Sequence, residues 1–305
     1  MKRIKLLFSV GLLIFSIASC DKIDTPLEKK TTTTVINNPI DTTKKYDNYS
    51  DTISPTIRKI LIEDFTGHTC GYCPEAAVIA EQLKKDYGKK ILVASVHSGG
   101  FAIPQNNTDG SYKTDFRTAA GNEYDLAPPQ GFGVSAAGNP NGFVNRSLII
   151  NNTLIIKHTS WGAAVEKLKS LLPDAKMEIG INYDKSTRNL KTMVKTKVLN
   201  SLNGKYSLVI YLIQDSIVDW QKDYSKSPEK VKDYLHRDVL RDAITNEWGD
   251  ILITTSAATG KIFTKNYDYR QINSKWDVSH CSLIAYIRNT TTEEIIQAEE
   301  VHIIK

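Results

Sequence analysis

The sequence predicts an α/β region followed by an all-β region. An apolar run of strand type, Thr56–Phe65, leads through a turn into a helix-forming segment, Ala76–Tyr87, and then into a second apolar run, Lys90–His97. This β-α-β order calls for parallel pairing of the two strands. After Pro173 the pattern changes to apolar and polar residues that alternate with a period of two, which is typical of antiparallel strands.

Length and charge restrict the class of protein. The chain has 305 residues, which favours two domains, and 41% hydrophobic residues, which is enough for ordinary cores. Its formal net charge is +5, and three of the positive charges, Lys2, Arg3 and Lys5, lie in the first five residues. The remainder is close to neutral. We therefore expect no nucleic-acid partner and no polybasic membrane patch.

The N-terminus has the features of a secretion signal. Basic residues precede the apolar segment Leu6–Ala18, which is too short to span a bilayer comfortably. The segment closes with Ser16-Ile-Ala-Ser19 and then Cys20, and small residues just before a cysteine resemble a bacterial lipoprotein signal. The resemblance implies removal of residues 1–19 and acyl chains such as palmitate on Cys20. The protein would then be lipid-anchored in the cell envelope, at the periplasmic or surface face of the outer membrane. Ordinary cleavage beside an incidental cysteine is the alternative.

Residues 20–55 are predicted to form a disordered tether. They are rich in Thr, Asn, Asp and Lys, and they have little apolar periodicity. Such a segment cannot bury enough surface to offset the entropy cost of ordering it. The first folded domain is placed at residues 56–175 and the second at residues 176–305.

The rest of the first domain is less regular. Between residues 98 and 137 a helix is predicted within Tyr112–Glu123. Gly142–Ile150 is predicted to form strands of a hairpin. Ser160–Leu172 is predicted to form a closing helix, because Trp161, Val165, Leu168 and Leu172 fall on one face.

The second domain is predicted from its period-two segments to be an immunoglobulin-like antiparallel β-sandwich. A helix or long loop is expected at Tyr234–Glu247. The predicted strands are Lys176–Tyr183, Leu190–Val198, Tyr206–Gln214, Gly260–Tyr267, Ser282–Arg288 and Ile295–Ile303.

Cys70 and Cys73 form a C-x-x-C pair where the first strand passes into the first helix. In this context the motif indicates thiol–disulfide chemistry. Unpaired backbone N–H groups and the helix dipole at a helix N-terminus favour the thiolate, which is the nucleophile in disulfide exchange. Cys70 would attack a substrate disulfide, and Cys73 would resolve the mixed disulfide. A structural disulfide, or a redox site that has lost its activity, is the alternative.

The surrounding residues resemble the thioredoxin fold. Asp64–Phe65 begins six residues before Cys70, as in the D-F-x-x-x-x-C-x-x-C pattern, and Pro140 stands where that fold carries a cis-proline facing the cysteines. The resemblance implies that Asp64 accepts a proton from Cys73. It also implies that Pro140 keeps metal ions from the sulfurs and shapes the peptide-binding edge. Asp64 as a half-exposed strand-end residue, and Pro140 as an ordinary turn proline with Pro128–Pro129 as competitors, are the alternatives.

His68 and Tyr72 are predicted to tune the redox potential. His68 is a candidate for stabilising the thiolate, and an exposed loop histidine is its alternative reading. Only Cys70, Cys73 and His68 cluster in the sequence, whereas a zinc site needs about four ligands. We therefore expect no metal and no cofactor. The remaining cysteine, Cys281, is predicted to be a buried strand thiol.

Three longer patterns resemble the outer membrane protein 28-related lipoproteins. They are E-D-F-T-G-H-x-C-x-x-C-P-E at 63–75, N-P-N-G-F-V-N-R at 139–146 and H-x-x-V-L-R-D-A-x-x-x-x-W-G at 236–249. The resemblance implies a thioredoxin-like domain followed by a β-sandwich, on the envelope of Gram-negative bacteria.

Two functions from different classes follow. One is an envelope thiol–disulfide oxidoreductase whose partners are protein thiols and disulfides. The other is a non-catalytic adhesin, or a binding or assembly lipoprotein, that binds surface ligands and uses the thioredoxin fold as a scaffold. Both would contact the membrane through the lipid on Cys20.

Overall fold

The fold is built on one large sheet to which both predicted domains contribute strands. The computed structural model describes residues 33–36, 46–50, 57–269 and 271–304. Its strands are β1 (Thr33–Ile36), β2 (Asn48–Tyr49), β3 (Ile60–Thr66), β4 (Ile91–His97), β5 (Asn141–Val144), β6 (Ile156–Lys157), β7 (Ala175–Tyr183), β8 (Leu190–Val198), β9 (Leu202–Asn203), β10 (Tyr206–Gln214), β11 (Ile217–Lys222), β12 (Lys230–His236), β13 (Val239–Ala243), β14 (Asp250–Ile253), β15 (Ser256–Ala257), β16 (Ile262–Tyr269), β17 (Cys281–Asn289) and β18 (Ile295–His302).

In the part of the chain that the structure describes, three α-helices accompany the strands: α1 (Cys73–Tyr87), α2 (Ala119–Asp125) and α3 (Trp161–Leu168). Short 3-10 turns occupy Gly88–Lys90, Gly100–Ala102, Ser135–Ala137, His158–Ser160 and Val278–His280. Within the described residues, no helix is long and apolar enough to cross a membrane.

The largest sheet, here called the central sheet, has the order β18-β17-β10-β13-β4-β3-β5-β6, with β14 also paired to β10. A second sheet, the flanking sheet, has the order β1-β16-β8-β7-β2. The strands β3 and β4 are parallel, as the β-α-β pattern predicts, and β5 is antiparallel to β3. The chain is therefore an α/β arrangement joined to an all-β region, which confirms the predicted class at that level.

Successive side chains of a strand point to opposite faces of the sheet, so each strand contributes to two different cores. On β3, Ile60 and Ile62 pack with α1 and α3, whereas Leu61 and Phe65 belong to a core on the opposite side. On β10, Leu208, Ile210 and Leu212 pack with residues of the flanking sheet, whereas Val209, Tyr211 and Ile213 join the same core as Leu61 and Phe65. One apolar core thus runs across strands from both predicted segments.

The six strands predicted in the second segment are confirmed as β7, β8, β10, β16, β17 and β18. These six strands do not form sheets of their own apart from the first segment, because β10, β17 and β18 extend the sheet of β3 and β4. The link is β13, which pairs with β10 on one side and in parallel with β4 on the other. The domain boundary after residue 175, where the two sequence patterns meet, stays a prediction.

The prediction of a helix or long loop at Tyr234–Glu247 is wrong. This stretch contains the end of β12 and all of β13. The chain adopts extended structure here because β13 fills the space between β10 and β4, where its backbone groups find hydrogen-bond partners.

Several boundaries in the first segment also differ from prediction. The helix expected within Tyr112–Glu123 begins only at Ala119, because the Thr118 side chain caps it by accepting a hydrogen bond from Gly121 N. The strand expected at Gly142–Ile150 ends at Val144, because Asn145 and Arg146 have positive φ angles of 50° and 45°. The closing helix ends at Leu168, and Leu172 is 67% exposed instead of buried.

The predicted disordered tether, residues 20–55, contains two strands, and the prediction is wrong for them. β1 pairs with β16 and β2 pairs with β7, so both lie at the edges of the flanking sheet. Pairing at a sheet edge satisfies backbone groups independently of side-chain polarity. The predicted signal, residues 1–19, and Cys20 lie outside the described residues.

A buried ion pair connects the two halves of the central sheet. The Arg146 guanidinium donates two hydrogen bonds of 2.7 Å to the Glu63 carboxylate, and both side chains are fully buried. The hydroxyls of Tyr211 on β10 and Tyr286 on β17 accept further hydrogen bonds from Arg146, and Tyr211 donates one to Glu63. The rings of Tyr124 and Phe132 lie about the guanidinium, with centroids 4.8 and 5.1 Å from its central carbon.

Removal of one partner from this pair would leave a buried charge without compensation. We expect Glu63→Gln to lower the free energy of unfolding by about 3–5 kcal/mol in urea denaturation. The control is Glu229→Gln, which changes an exposed carboxylate 3.9 Å from the Lys222 ammonium and should have no measurable effect. Equal effects of the two substitutions would show that the buried pair does not stabilise the junction.

Candidate functional site

The two cysteines of the C-x-x-C motif lie where the chain leaves the central sheet. The strand β3 ends at Thr66, a turn follows, and α1 begins at Cys73. Cys70 N donates to Gly67 O, and Cys73 N donates to Cys70 O, so the loop is a succession of tight turns. The predicted pairing is confirmed, since Cys70 and Cys73 form a disulfide with a Cα–Cα distance of 5.4 Å.

Both cysteines are nearly inaccessible, at 2% exposure each. Cys73 is the first residue of α1, Pro74 lies in its first turn, and Glu75 places a carboxylate there. Proline is suited to this position because the first N–H groups of a helix have no partner within the helix. The prediction that Cys281 is a buried strand thiol is also confirmed, since Cys281 is a buried free thiol on β17.

Asp64 lies in the middle of the sheet, not at an exposed strand end. It is 2% exposed on β3, between Ser95 of β4 and Gly142 of β5, and its Oδ1 atom has no hydrogen-bond partner. Burial raises the pKa of Asp64 to about 7, because the charged carboxylate loses its solvation. The half-exposed alternative is therefore wrong.

Asp64 and Cys73 face the same open cleft. The residues that line it come from β3, α1, β4 and the hairpin β11–β12, and they are Asp64, Thr66, Cys73, Pro74, Ala77, Ser95, His97, Gln221, Tyr234, His236 and Arg237. A carboxyl group with a pKa near neutrality thus shares a cleft with one sulfur of the disulfide.

Pro140 has the cis peptide bond that the resemblance implies, and it lies at the start of β5. The Asn139–Pro140 peptide bond is cis, and Pro140 directly precedes β5, whose residue Asn141 pairs with Phe65 of β3. The Pro128–Pro129 bond is cis as well, but it lies in the long segment between β4 and β5. The contact between Pro140 O and the Nδ1 atom of His158, at 3.3 Å, ties this turn to the start of α3.

The two residues predicted to tune the site have different surroundings. His68 is 1% exposed, its Nε2 atom lies 3.2 Å from Ile103 O, and its ring stacks on Tyr112. The reading of His68 as an exposed loop histidine is therefore wrong. Burial lowers the pKa of His68, so the ring is neutral near pH 7. Tyr72 is 62% exposed and meets the Tyr224 ring edge-on at 4.9 Å.

Two histidines of the cleft were not found from the sequence. His97 ends β4, and His236 ends β12, with ring centroids 5.8 Å apart. Burial lowers the pKa of His97 well below its usual value and lowers that of His236 to about 4, so both are neutral near pH 7. The sequence could have predicted that His97 lies near the cysteines, because the carboxyl ends of parallel strands meet at one edge of a sheet. In the structure His97 pairs with Thr66, the last residue of β3.

The position of His236 depends on the hairpin β11–β12, which covers the C-x-x-C loop. Lys222 N donates to His68 O at 2.8 Å, and Tyr224 N donates to Gly71 O at 2.9 Å. The Gln221 side chain donates to Cys70 O at 3.0 Å. Short-range pattern cannot reveal these contacts, because they join residues about 150 positions apart.

Within the part of the chain that the structure describes, no group of three or more His, Cys, Asp or Glu residues could hold a metal ion. The chemistry available at the site is that of the disulfide itself, the Asp64 carboxyl group and the neutral histidines.

Comparison with known proteins agrees with the resemblance found in the sequence. The pattern of the family described as outer membrane protein Omp28 matches residues 130–305, which is more than half of the chain. The comparison with curated proteins found no match.

Among solved structures, HBP35 of Porphyromonas gingivalis is similar to this chain, with a TM-score of 0.54 and 17% identity over 81% of this chain and 76% of that one. At this identity the likeness shows a shared fold alone. A domain of the outer membrane lipoprotein Omp28 from Porphyromonas gingivalis is 19% identical, with a TM-score of 0.29 over 43% of this chain and 89% of that one. The family match over residues 130–305 shows that this chain belongs to the family described as outer membrane protein Omp28.

Proposed function

We propose that this protein is an envelope thiol–disulfide oxidoreductase in which Cys70 and Cys73 are the redox couple. The observation that carries the proposal is the cleft shared by Cys73 and Asp64, a buried carboxyl group whose pKa is raised to about 7. A carboxyl group held near neutral pKa is suited to proton transfer at physiological pH.

The fold assignment is part of the same proposal. Parallel β3 and β4 joined by α1, antiparallel β5 and a cis-proline at residue 140 support a thioredoxin-like unit. An immunoglobulin-like β-sandwich for the second segment is supported by the core between the flanking sheet and β10 and β17.

In the proposed reaction the reduced protein passes two electrons to a substrate disulfide. The Cys70 thiolate attacks one substrate sulfur, forming a mixed disulfide, while the other substrate sulfur leaves as a thiolate and takes a proton. Asp64 accepts the proton of the Cys73 thiol. The Cys73 thiolate then attacks Cys70 Sγ, forming the intramolecular disulfide and releasing the second substrate thiol.

A second function has support from one observation. Both cysteines are 2% exposed, and the hairpin β11–β12 lies over their loop. A disulfide of this kind would suit a non-catalytic surface or assembly lipoprotein in which the pair is structural. A reduction potential below about −300 mV would identify it as structural.

The first test is exchange of disulfides by the soluble protein without residues 1–20. We expect it to accelerate reduction of insulin by dithiothreitol, and we expect Cys70→Ser to abolish the acceleration, because no mixed disulfide can form. Cys281→Ser is the control, since that thiol is buried on β17 and should leave the rate unchanged. Absence of exchange in the unaltered protein, together with a potential in the structural range, would favour the second function.

The pH dependence of stability tests the environment of Asp64. The folded protein holds the Asp64 proton up to about pH 7, whereas in the unfolded chain this carboxyl group has its ordinary pKa of 3.8. The neutral carboxyl group therefore contributes stability at low pH that is lost as the pH rises through about 7. The difference in unfolding free energy between Asp64→Asn and the unaltered protein should therefore shift in favour of the variant by roughly 2–3 kcal/mol as the pH rises from about 5 to about 8.

Urea denaturation at the two pH values measures this difference. Asp238 has a pKa raised to about 7 by burial as well, but it is present in both proteins, so its contribution cancels. A difference between variant and unaltered protein that is independent of pH would show that Asp64 is ionised in the folded state.

The envelope location is proposed to depend on lipid at Cys20. Cells supplied with labelled palmitate should incorporate label into the protein, and Cys20→Ser should lose both the label and the membrane association. Cys281→Ser serves as the matched control. Label that persists in Cys20→Ser would place the acylation elsewhere.

A further inference from the structure

The hairpin β11–β12 and the residues that follow β11 donate backbone hydrogen bonds to the C-x-x-C loop. The backbone N–H groups of Lys222 and Tyr224, two residues apart, donate to the carbonyl oxygens of His68 and Gly71 at 2.8 and 2.9 Å. Residues two apart on an extended chain point the same way, so both N–H groups face the loop. The backbone oxygens of the loop that holds the disulfide are therefore already hydrogen-bonded to a segment of its own chain.

The Gln221 side chain strengthens this contact. It is 3% exposed, and its amide nitrogen donates to Cys70 O at 3.0 Å and to Gly67 O at 3.3 Å. The Gln221 side chain binds backbone oxygens of the loop, and, unlike Tyr224, it has no aromatic ring. Its contribution is thus to hold residues 221–224, here called the covering segment, against the loop.

The Tyr224 ring makes a different contribution. A Cβ atom at Gly71 would lie 2.5 Å from this ring, so the ring lies directly against the backbone between the two cysteines. Its edge contact with Tyr72 extends the cover, and the Lys222 ammonium lies 4.6 Å from the ring centroid on the same segment. Since Tyr224 is 46% exposed, its side chain can rotate outward without disturbing a core.

We propose that the covering segment occupies the place of an extended polypeptide substrate and so determines which thiols reach the disulfide. This inference rests on the proposed oxidoreductase function. A polypeptide that pairs with the loop needs the carbonyl groups of His68 and Gly71, so it must displace the whole segment. A small-molecule thiol needs only the outward rotation of the Tyr224 ring. The site therefore selects small thiols over polypeptide thiols until the segment moves away.

The reaction that reports on access is reduction of the resting disulfide. A small thiolate attacks one sulfur of the Cys70–Cys73 pair, and the other leaves as a thiolate and takes a proton. A second thiolate attacks the sulfur of the small thiol in the mixed disulfide. The products are two protein thiols and one small-molecule disulfide, and two electrons have passed to the protein. With a dithiol both attacks come from one molecule.

The experiment compares two reductants, dithiothreitol and a reduced bacterial thioredoxin, in single-turnover reduction of the full folded region. Acid quenching followed by alkylation and mass analysis measures the thiols formed at Cys70 and Cys73. Gln221→Ala weakens the segment but keeps the ring. We expect the rate with thioredoxin to rise about tenfold, whereas the rate with dithiothreitol changes less than about threefold.

Tyr224→Ala removes the ring, and both rates should rise, because both reductants need it displaced. Val218→Ala is the control on the same hairpin, since Val218 is 61% exposed on β11, and it should change neither rate. Equal acceleration of both reductants by Gln221→Ala would overturn the proposal. So would a thioredoxin rate in Gln221→Ala and Tyr224→Ala no higher than that of Val218→Ala.

Hydrogen exchange on the unaltered protein provides a test that does not depend on variants. The amides of Lys222 and Tyr224 should exchange through a local opening, and therefore faster than the amides of β10 in the central sheet. Exchange of these two amides only at the rate of global unfolding would overturn the proposal. Failure of the proposed oxidoreductase function can be told apart from failure of this inference. It would appear as no turnover of insulin, while dithiothreitol and thioredoxin still reduce the disulfide at different rates in a single turnover.

Discussion

Two neighbouring carboxyl groups on β3, Glu63 and Asp64, create the constraint on which the rest of the structure depends. Successive side chains of a strand point to opposite faces, so the two groups enter different environments. Glu63 meets the Arg146 guanidinium in a fully buried bidentate pair, whereas Asp64 has an oxygen without a partner. One charge is compensated and joins the two halves of the sheet. The other is uncompensated, and its pKa is raised to about 7.

The continuous sheet is what brings a second segment to the cysteines. Because β13 begins at Val239, beside Ser95 near the carboxyl end of the parallel strand β4, the chain that precedes β13 lies at that edge of the sheet. The hairpin β11–β12 is the part of the chain that does so, and it supplies Gln221, Tyr234 and His236 to the cleft.

The site combines features of two classes of protein. A closed C-x-x-C pair beside a carboxyl group of near-neutral pKa is suited to exchange. Neutral His68, His97 and His236 place no positive charge near the sulfurs, and the covering segment limits access. The favourable electrostatic influences on a thiolate are then the N-terminus of α1 and the Arg237 guanidinium, which lines the same cleft as Cys73.

The sequence by itself determined the local elements: the parallel β-α-β unit, the paired cysteines, the cis-proline position and six of the later strands. These follow from periodicity and from residues adjacent in the chain, for which short-range physics suffices. The tertiary structure alone decided the pairing of β13 with β4, the burial of Asp64 and His68, and the hairpin over the loop. Each of these depends on contacts between residues far apart in sequence, whose backbone groups and charges must be satisfied together once the chain is compact.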